Sequence, residues 1–390
     1  MTAMRTIKSA SLGAFFVAFT VPARAEPADV TSEDAAGEVR EEPGTTLEPP
    51  GEVTEVPASP PRRAPTGTFE IGAGYGTDDG FIAQTRIAQS SLFGSGHRLA
   101  LSARMSMRSQ LFHIGYDVPN LAGGDLMLRT ELYARRDQLP GFQRAATGGG
   151  ALVTAPVGDH LQAFFGYRIE EVKTTVDVEP ESARGGEAPP ITARDGRIAS
   201  LRGGLVYSTL DQPYLPTRGM EVGTSIAVAD PRWGSEIQLT RFDGWGSLHQ
   251  ALGPFTMHLG GSVSTVASRD DAGVPLAERL HLDGSSMLRG FAPGSIGPRD
   301  ARTGMSLGGN LEYSARGELE VPLIRRLGIS AVGFIDHAGI YDVGGAGSSG
   351  TSVGFGLIWR SPIGPLRFDW AIPLDGDGKP RFVFGFGTGF

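Results

Sequence analysis

The side chains best able to do chemistry are seven histidines, at positions 97, 113, 160, 249, 258, 281 and 337; along the chain they are scattered singly, with no pair at metal-ligand spacing. There is no cysteine, which removes disulfides, thiolate metal sites and any thiol nucleophile. No HExxH, nucleophile elbow or phosphate loop is present, and the Gly-x-Gly run from Gly72 to Gly76 lies in a strand-like segment and opens no helix. The chain therefore reads as a non-enzyme with no expected metal or cofactor. A spacing of two says more. Arg98, Ser102, Arg104, Ser106 and Arg108 alternate with Leu99, Leu101, Ala103, Met105 and Met107. The arginine face must be wet, because an arginine facing lipid at mid-membrane costs about 2 to 4 kcal/mol.

The elements that carry this alternation are short strands, and they run from Gly67 to the last residue, separated by Gly, Pro, Asn and Asp. Phe69, Ile71, Ala73 and Tyr75 oppose Glu70, Gly72, Gly74 and Gly76; Val353, Phe355, Leu357 and Trp359 form another apolar face, and Leu366, Phe368, Trp370 and Ile372 the next. A strand that shows lipid at every second residue has a mean hydropathy near zero, as this chain does. The expected fold is all-β: a transmembrane antiparallel β-barrel of about 16 strands over residues 67–390, each strand long enough to cross a bilayer. A soluble β-sandwich or propeller would leave the alternate apolar faces without a partner.

Before the barrel, Arg5 and Lys8 precede an apolar run from Ala10 to Thr20 that closes on Ala23-Arg24-Ala25, the pattern of a secretory signal peptide over residues 1–25. Residues 26–66, rich in Pro and Glu, cannot bury a core and are expected to form a disordered periplasmic linker or, alternatively, a plug threading the lumen. These features predict an exported protein of the bacterial outer membrane. Its partners would be lipid and the machinery that inserts it, and the net charge of -8 gives no reason to expect nucleic acid.

Phe382, Phe384, Phe386 and Phe390 share one face of the last strand and Val383, Gly385, Gly387 and Gly389 the other. A final strand ending on an aromatic resembles the β-signal by which outer-membrane barrels are recognised for insertion. Further motifs are Glu278 to Leu282, Leu288-Arg289-Gly290-Phe291, Gly309-Asn310, Leu319-Glu320, Gly333-Phe334-Ile335-Asp336-His337-Ala338-Gly339, Ser361 to Arg367, and Leu210-Asp211 with Tyr214 to Gly219. In this order they resemble the BamA/TamA superfamily of outer-membrane protein assembly factors, the bacterial surface antigen family, over essentially all of residues 67–390. The resemblance implies a loop, around 266–306, that folds back into the lumen and carries Arg289, Gly290 and Phe291. It also implies that acidic wall residues, Glu320 and Asp336 by motif match, hold the loop arginine.

Family members carry periplasmic POTRA domains before the barrel, and the stretch between signal peptide and barrel is too short for one. The expectation is a short form that inserts or helps translocate unfolded proteins, with a POTRA-type or other partner supplying periplasmic functions. The alternative is a passive pore or structural barrel. In the family the first and last strands form a weak seam, where Gly72, Gly74 and Gly76 would lie near Gly385, Gly387 and Gly389; these glycines would either loosen the seam or make room for the inserted loop.

Overall fold

The computed structural model describes residues 67–177, 191–212, 216–282, 287–342, 345–361, 364–375 and 379–386. The expected signal peptide and linker lie outside these residues, as do Gly387, Gly389, Phe390 and the side chain of Phe386.

The described chain forms β1 (Gly67–Gly76), β2 (Gly80–Gln89), β3 (Arg98–Met105), β4 (Ser109–Leu121), β5 (Leu126–Leu139), β6 (Phe142–Pro156), β7 (Leu161–Val176) and β8 (Gly196–Ser208). The second half adds β9 (Gly219–Ala229), β10 (Leu239–Leu252), β11 (Phe255–Ser268), β12 (Leu311–Ile324), β13 (Ile329–Tyr341), β14 (Gly347–Ser361), β15 (Gly364–Pro373) and β16 (Arg381–Phe386). Each strand pairs with its sequence neighbours, and β1 pairs with β16, so the sixteen strands close an antiparallel barrel as the alternation predicts. Closure leaves no free sheet edge, which is what lets strands stand in hydrocarbon.

The two faces separate as the period of two requires. Phe69 is 65% exposed and Ile71 70% exposed on the outside of β1, while Gly72 and Gly74 are buried on the lumen side. Across β14 to β16 and on to β1 the outer face carries a chain of neighbouring rings: Phe355 on Trp370, Trp370 on Phe382, Phe368 on Phe384, and Phe384 on Tyr75 at 6.0 Å between centroids.

The core of this molecule lies inside the barrel, at one end. The connection between β11 and β12, residues 269–310, turns into the lumen, and every residue from Gly273 to Leu282 is buried. Its Val274, Ala277 and Leu280 pack with Ala146, Val172, Ile198, Leu239 and Val266 of the wall. Leu276, Met305 and Leu307 join Leu139 and Phe142. Leu282, Leu288 and Ile296 join Ala338 and Ile340, with Phe291 against them. The wall members sit at the ends of β5, β7, β9, β11 and β13 and at the starts of β6, β8 and β10, which is one rim of the barrel.

Candidate functional site

The loop motif is held residue by residue. The Arg289 guanidinium grips Asp336 on β13 in bidentate fashion, Nε donating to Oδ2 at 2.6 Å and Nη2 to Oδ1 at 2.7 Å, while the Arg289 amide also donates to Oδ2 at 3.2 Å. Its Nη1 donates to Glu318 of β12 at 2.9 Å and to Asp369 of β15 at 3.2 Å. The flat face of the guanidinium lies over the Phe334 ring, 3.4 Å from its centroid, an arrangement lysine could not reproduce. Burial alone would lower the arginine's affinity for its proton, but Asp336, Glu318 and Asp369 hold it above the ordinary value. Arg367 adds bonds to Glu318 and Asp369, and Arg316 lies 3.5 Å from Asp336, so three guanidiniums face three carboxylates.

Gly290 and Phe291 have steric roles. Gly290 has φ +88°, and a Cβ there would stand 3.1 Å from the Cβ of Ala371 on β15, so both the backbone angle and the approach to the wall favour glycine. Phe291 lies over Gly350 of β14, where an added Cβ would come within 2.8 Å of its ring.

One expected partner is corrected. Glu320 does not hold Arg289: it accepts from both terminal nitrogens of Arg360, at 2.7 and 3.0 Å, and lies 3.6 Å from His258. Glu318 and Glu320 share the lumen face of β12, one pleat apart, and Arg289 enters at the level where Arg316 faces Asp336 and Glu318 faces Phe334. Glu320 is opposite Val332, one pleat further along the wall.

A second anchor, absent from the sequence reading, ties the start of the loop to the opposite wall. Glu278 accepts from Arg144 of β6 at 2.8 Å, and Arg144 also donates to Glu170 of β7 at 3.1 Å. Glu170 in turn accepts from Arg168 at 2.9 Å and from the Tyr133 hydroxyl of β5 at 2.8 Å. Next to it, Arg279 donates to Asp342 at 2.7 Å and to the carbonyls of Leu307 and Gly308, which closes the neck of the loop.

At the seam, the described residues place two pairs in register, Tyr75 with Phe386 and Gly76 with Gly385. Thr77 extends it: its amide donates to the Phe384 carbonyl at 3.1 Å, and its hydroxyl accepts from the Phe384 amide at 2.8 Å. On its other side β1 is in register with β2 from Gly67 to Gly76. A Cβ at Gly72 would meet the Gln84 side chain and one at Gly76 would approach Asp79; neither would meet the inserted loop, whereas Gly350 does make room for it. The Asp211 motif belongs to the β8–β9 turn, where its carboxylate accepts from the Thr217 hydroxyl at 2.6 Å and the Thr217 amide at 2.9 Å; Tyr214 and Leu215 lie outside the described residues.

The histidines are not all single. His249 of β10 and His258 of β11 flank the Gly253-Pro254 turn and stand directly opposite one another. Their Nδ1 atoms are 2.7 Å apart.

A model of the Omp85 superfamily domain matches residues 91–390. The outer membrane protein assembly factor BamA of Nitratidesulfovibrio vulgaris is 27% identical over 339 residues, covering 83% of this chain and 42% of the relative; BamA of Neisseria meningitidis serogroup B is 24% identical over 381 residues, covering 83% and 47%. This chain thus spans less than half the length of these curated relatives. Among solved structures, BamA from Haemophilus ducreyi lacking POTRA domains 1–3 superposes with a TM-score of 0.73 at 23% identity, over 83% of this chain and 70% of that one, a likeness of fold.

Proposed function

The chain belongs to the Omp85 superfamily, and from that premise we propose that this bacterial outer-membrane barrel inserts or helps translocate unfolded proteins by opening its β1–β16 edge to an incoming strand, with a partner supplying periplasmic functions. The observation that carries this reading is the topology of the closure: β1 and β16 are the first and last strands, and their pairing shuts the barrel with no hairpin turn to join them. Opening that pairing would expose backbone donors and acceptors that a new strand could satisfy, which is strand addition at a sheet edge. The loop anchored on β12, β13 and β15 would keep the wall beside the edge rigid while β1 swings away. The action is mechanical, and it needs no nucleophile, base or cofactor.

The chain has no cysteine, so an engineered pair would report the seam alone. Gly76→Cys with Gly385→Cys places thiols at a registered pair. The expected result is that oxidation cross-links the strands and abolishes stimulated insertion of an unfolded barrel substrate into liposomes, and that reduction restores it. If the cross-linked protein inserts substrate as well as the reduced one, edge opening is not the mechanism. Steady ion conductance with no insertion in either state would favour the passive pore.

A further inference from the structure

We propose that the Thr77 side chain is a clasp that governs how readily β1 parts from β16 at the rim where the loop is inserted. The inference rests on edge opening as the function and names the residue that regulates it. β1 ends at Gly76, and residues 77–79 form the turn into β2. A strand that ran on would offer Phe384 of β16 an amide and a carbonyl. Thr77 offers an amide and a hydroxyl. Its amide donates to the Phe384 carbonyl at 3.1 Å, the Phe384 amide donates to its hydroxyl at 2.8 Å, and the hydroxyl donates to the Phe384 carbonyl at 3.3 Å. The ladder thereby gains a rung beyond Gly76 and Gly385 in which a side chain stands where a backbone acceptor would be.

The structure on each side of this rung is tied elsewhere. The turn is held to the β3–β4 connection, where the Met107 amide donates to the Asp79 carbonyl at 3.1 Å and Arg104 lies 3.8 Å from the Asp79 carboxylate. Phe384 is in register with Phe368 of β15, and their rings are 5.1 Å apart between centroids. Parting β1 from β16 at this rim therefore breaks the Thr77–Phe384 bonds while the turn and β16 keep their own neighbours.

A hydroxyl rung differs from a backbone rung in how it lets go. A backbone carbonyl leaves its partner only when the strand moves, whereas a hydroxyl leaves by rotation about one side-chain bond, a far faster event. Branching at Cβ restricts that rotation, so threonine holds the bond better than serine would. When the hydroxyl turns away, the Phe384 amide loses its acceptor on the β1 side. It is then a donor at an opening edge, the kind of group an incoming strand satisfies.

The test reads amide deuterium exchange residue by residue in the folded full-length chain in detergent, alongside stimulated insertion of an unfolded barrel substrate into liposomes. Thr77→Val keeps the shape and removes the hydroxyl. It should speed exchange of the Phe384 amide about three- to tenfold, the worth of one net hydrogen bond, and should quicken insertion. The Val383 and Gly385 amides alternate toward β15 and should exchange as in the wild type, which checks that the fold is intact. Thr77→Ser keeps the hydroxyl and should stay within about twofold of the wild type in both readouts. Unchanged Phe384 exchange in Thr77→Val would overturn the clasp whatever insertion does, as would equally fast exchange in Thr77→Ser. Faster exchange with insertion unmoved would uphold the clasp and overturn edge opening as the function, so the two failures are told apart.

Discussion

Arg289 adds a third guanidinium to carboxylates that Arg367 and Arg316 already face, and Asp336 beneath it has 0% exposure. Removing one member of a buried, hydrogen-bonded ion pair strands the other, at a cost of about 3 to 5 kcal/mol. Arg289→Ala should therefore release the loop, seen as new protease cleavage within 269–310 of the folded protein, and Asp336→Asn should do the same. Glu320→Gln should leave the cleavage pattern as it was, because its partners are Arg360 and His258. A second residue sets a pH dependence. His281 is buried in the loop against the Phe142 ring, and burial, with Arg279 nearby, pushes its imidazole down to about 4, although the Leu276 carbonyl works the other way. A histidine kept neutral in the folded state contributes stability that is complete above its unfolded value of about 6.5 and is lost as pH falls toward 4. Loop protection should decline over that window, and His281→Leu should lack this part of the decline when proteolysis is compared at neutral and acid pH.

The loop as an element is held at two points, by Arg144 on β6 at Glu278 and by the β12–β15 wall at Arg289. Glu278→Arg should free the first half of the loop to deuterium exchange while the segment around Arg289 stays protected. Arg144→Met should free the same half, since it removes the partner of Glu278 while Glu170 keeps Arg168 and Tyr133; unchanged exchange there would mean that Glu278 acts by packing alone. The strands themselves were legible in the sequence. Phe69 and Ile71 against Glu70 and Gly72 set a face, and the same alternation, repeated, sets the barrel. What was not legible depends on register. Glu318 and Glu320 carry the same charge on the same face of β12, so a motif match does not separate them. His249 and His258 read as solitary until the two-residue turn folds one strand onto the other. Arg144 and Glu278 are 134 residues apart, and no local pattern joins them.

At the scale of the whole molecule, three apolar clusters join the inserted loop to one rim of the barrel. Deleting 270–309 and bridging the ends with a short glycine linker should therefore raise the ion current through the lumen, read as single-channel current in a planar bilayer. An equal current before and after deletion would show that the loop is no barrier to ions. The two anchors also set a calendar for folding. Glu278 needs β6, laid down well before the loop, whereas Arg289 needs Asp369 on β15, 80 residues after it. The last ion pair of the loop thus waits for the penultimate strand, and a chain arrested short of β15 would leave Arg289 without one of its three acceptors. The loop is in effect a record of how much of the wall has been built, and its resistance to protease during refolding would time the completion of the barrel.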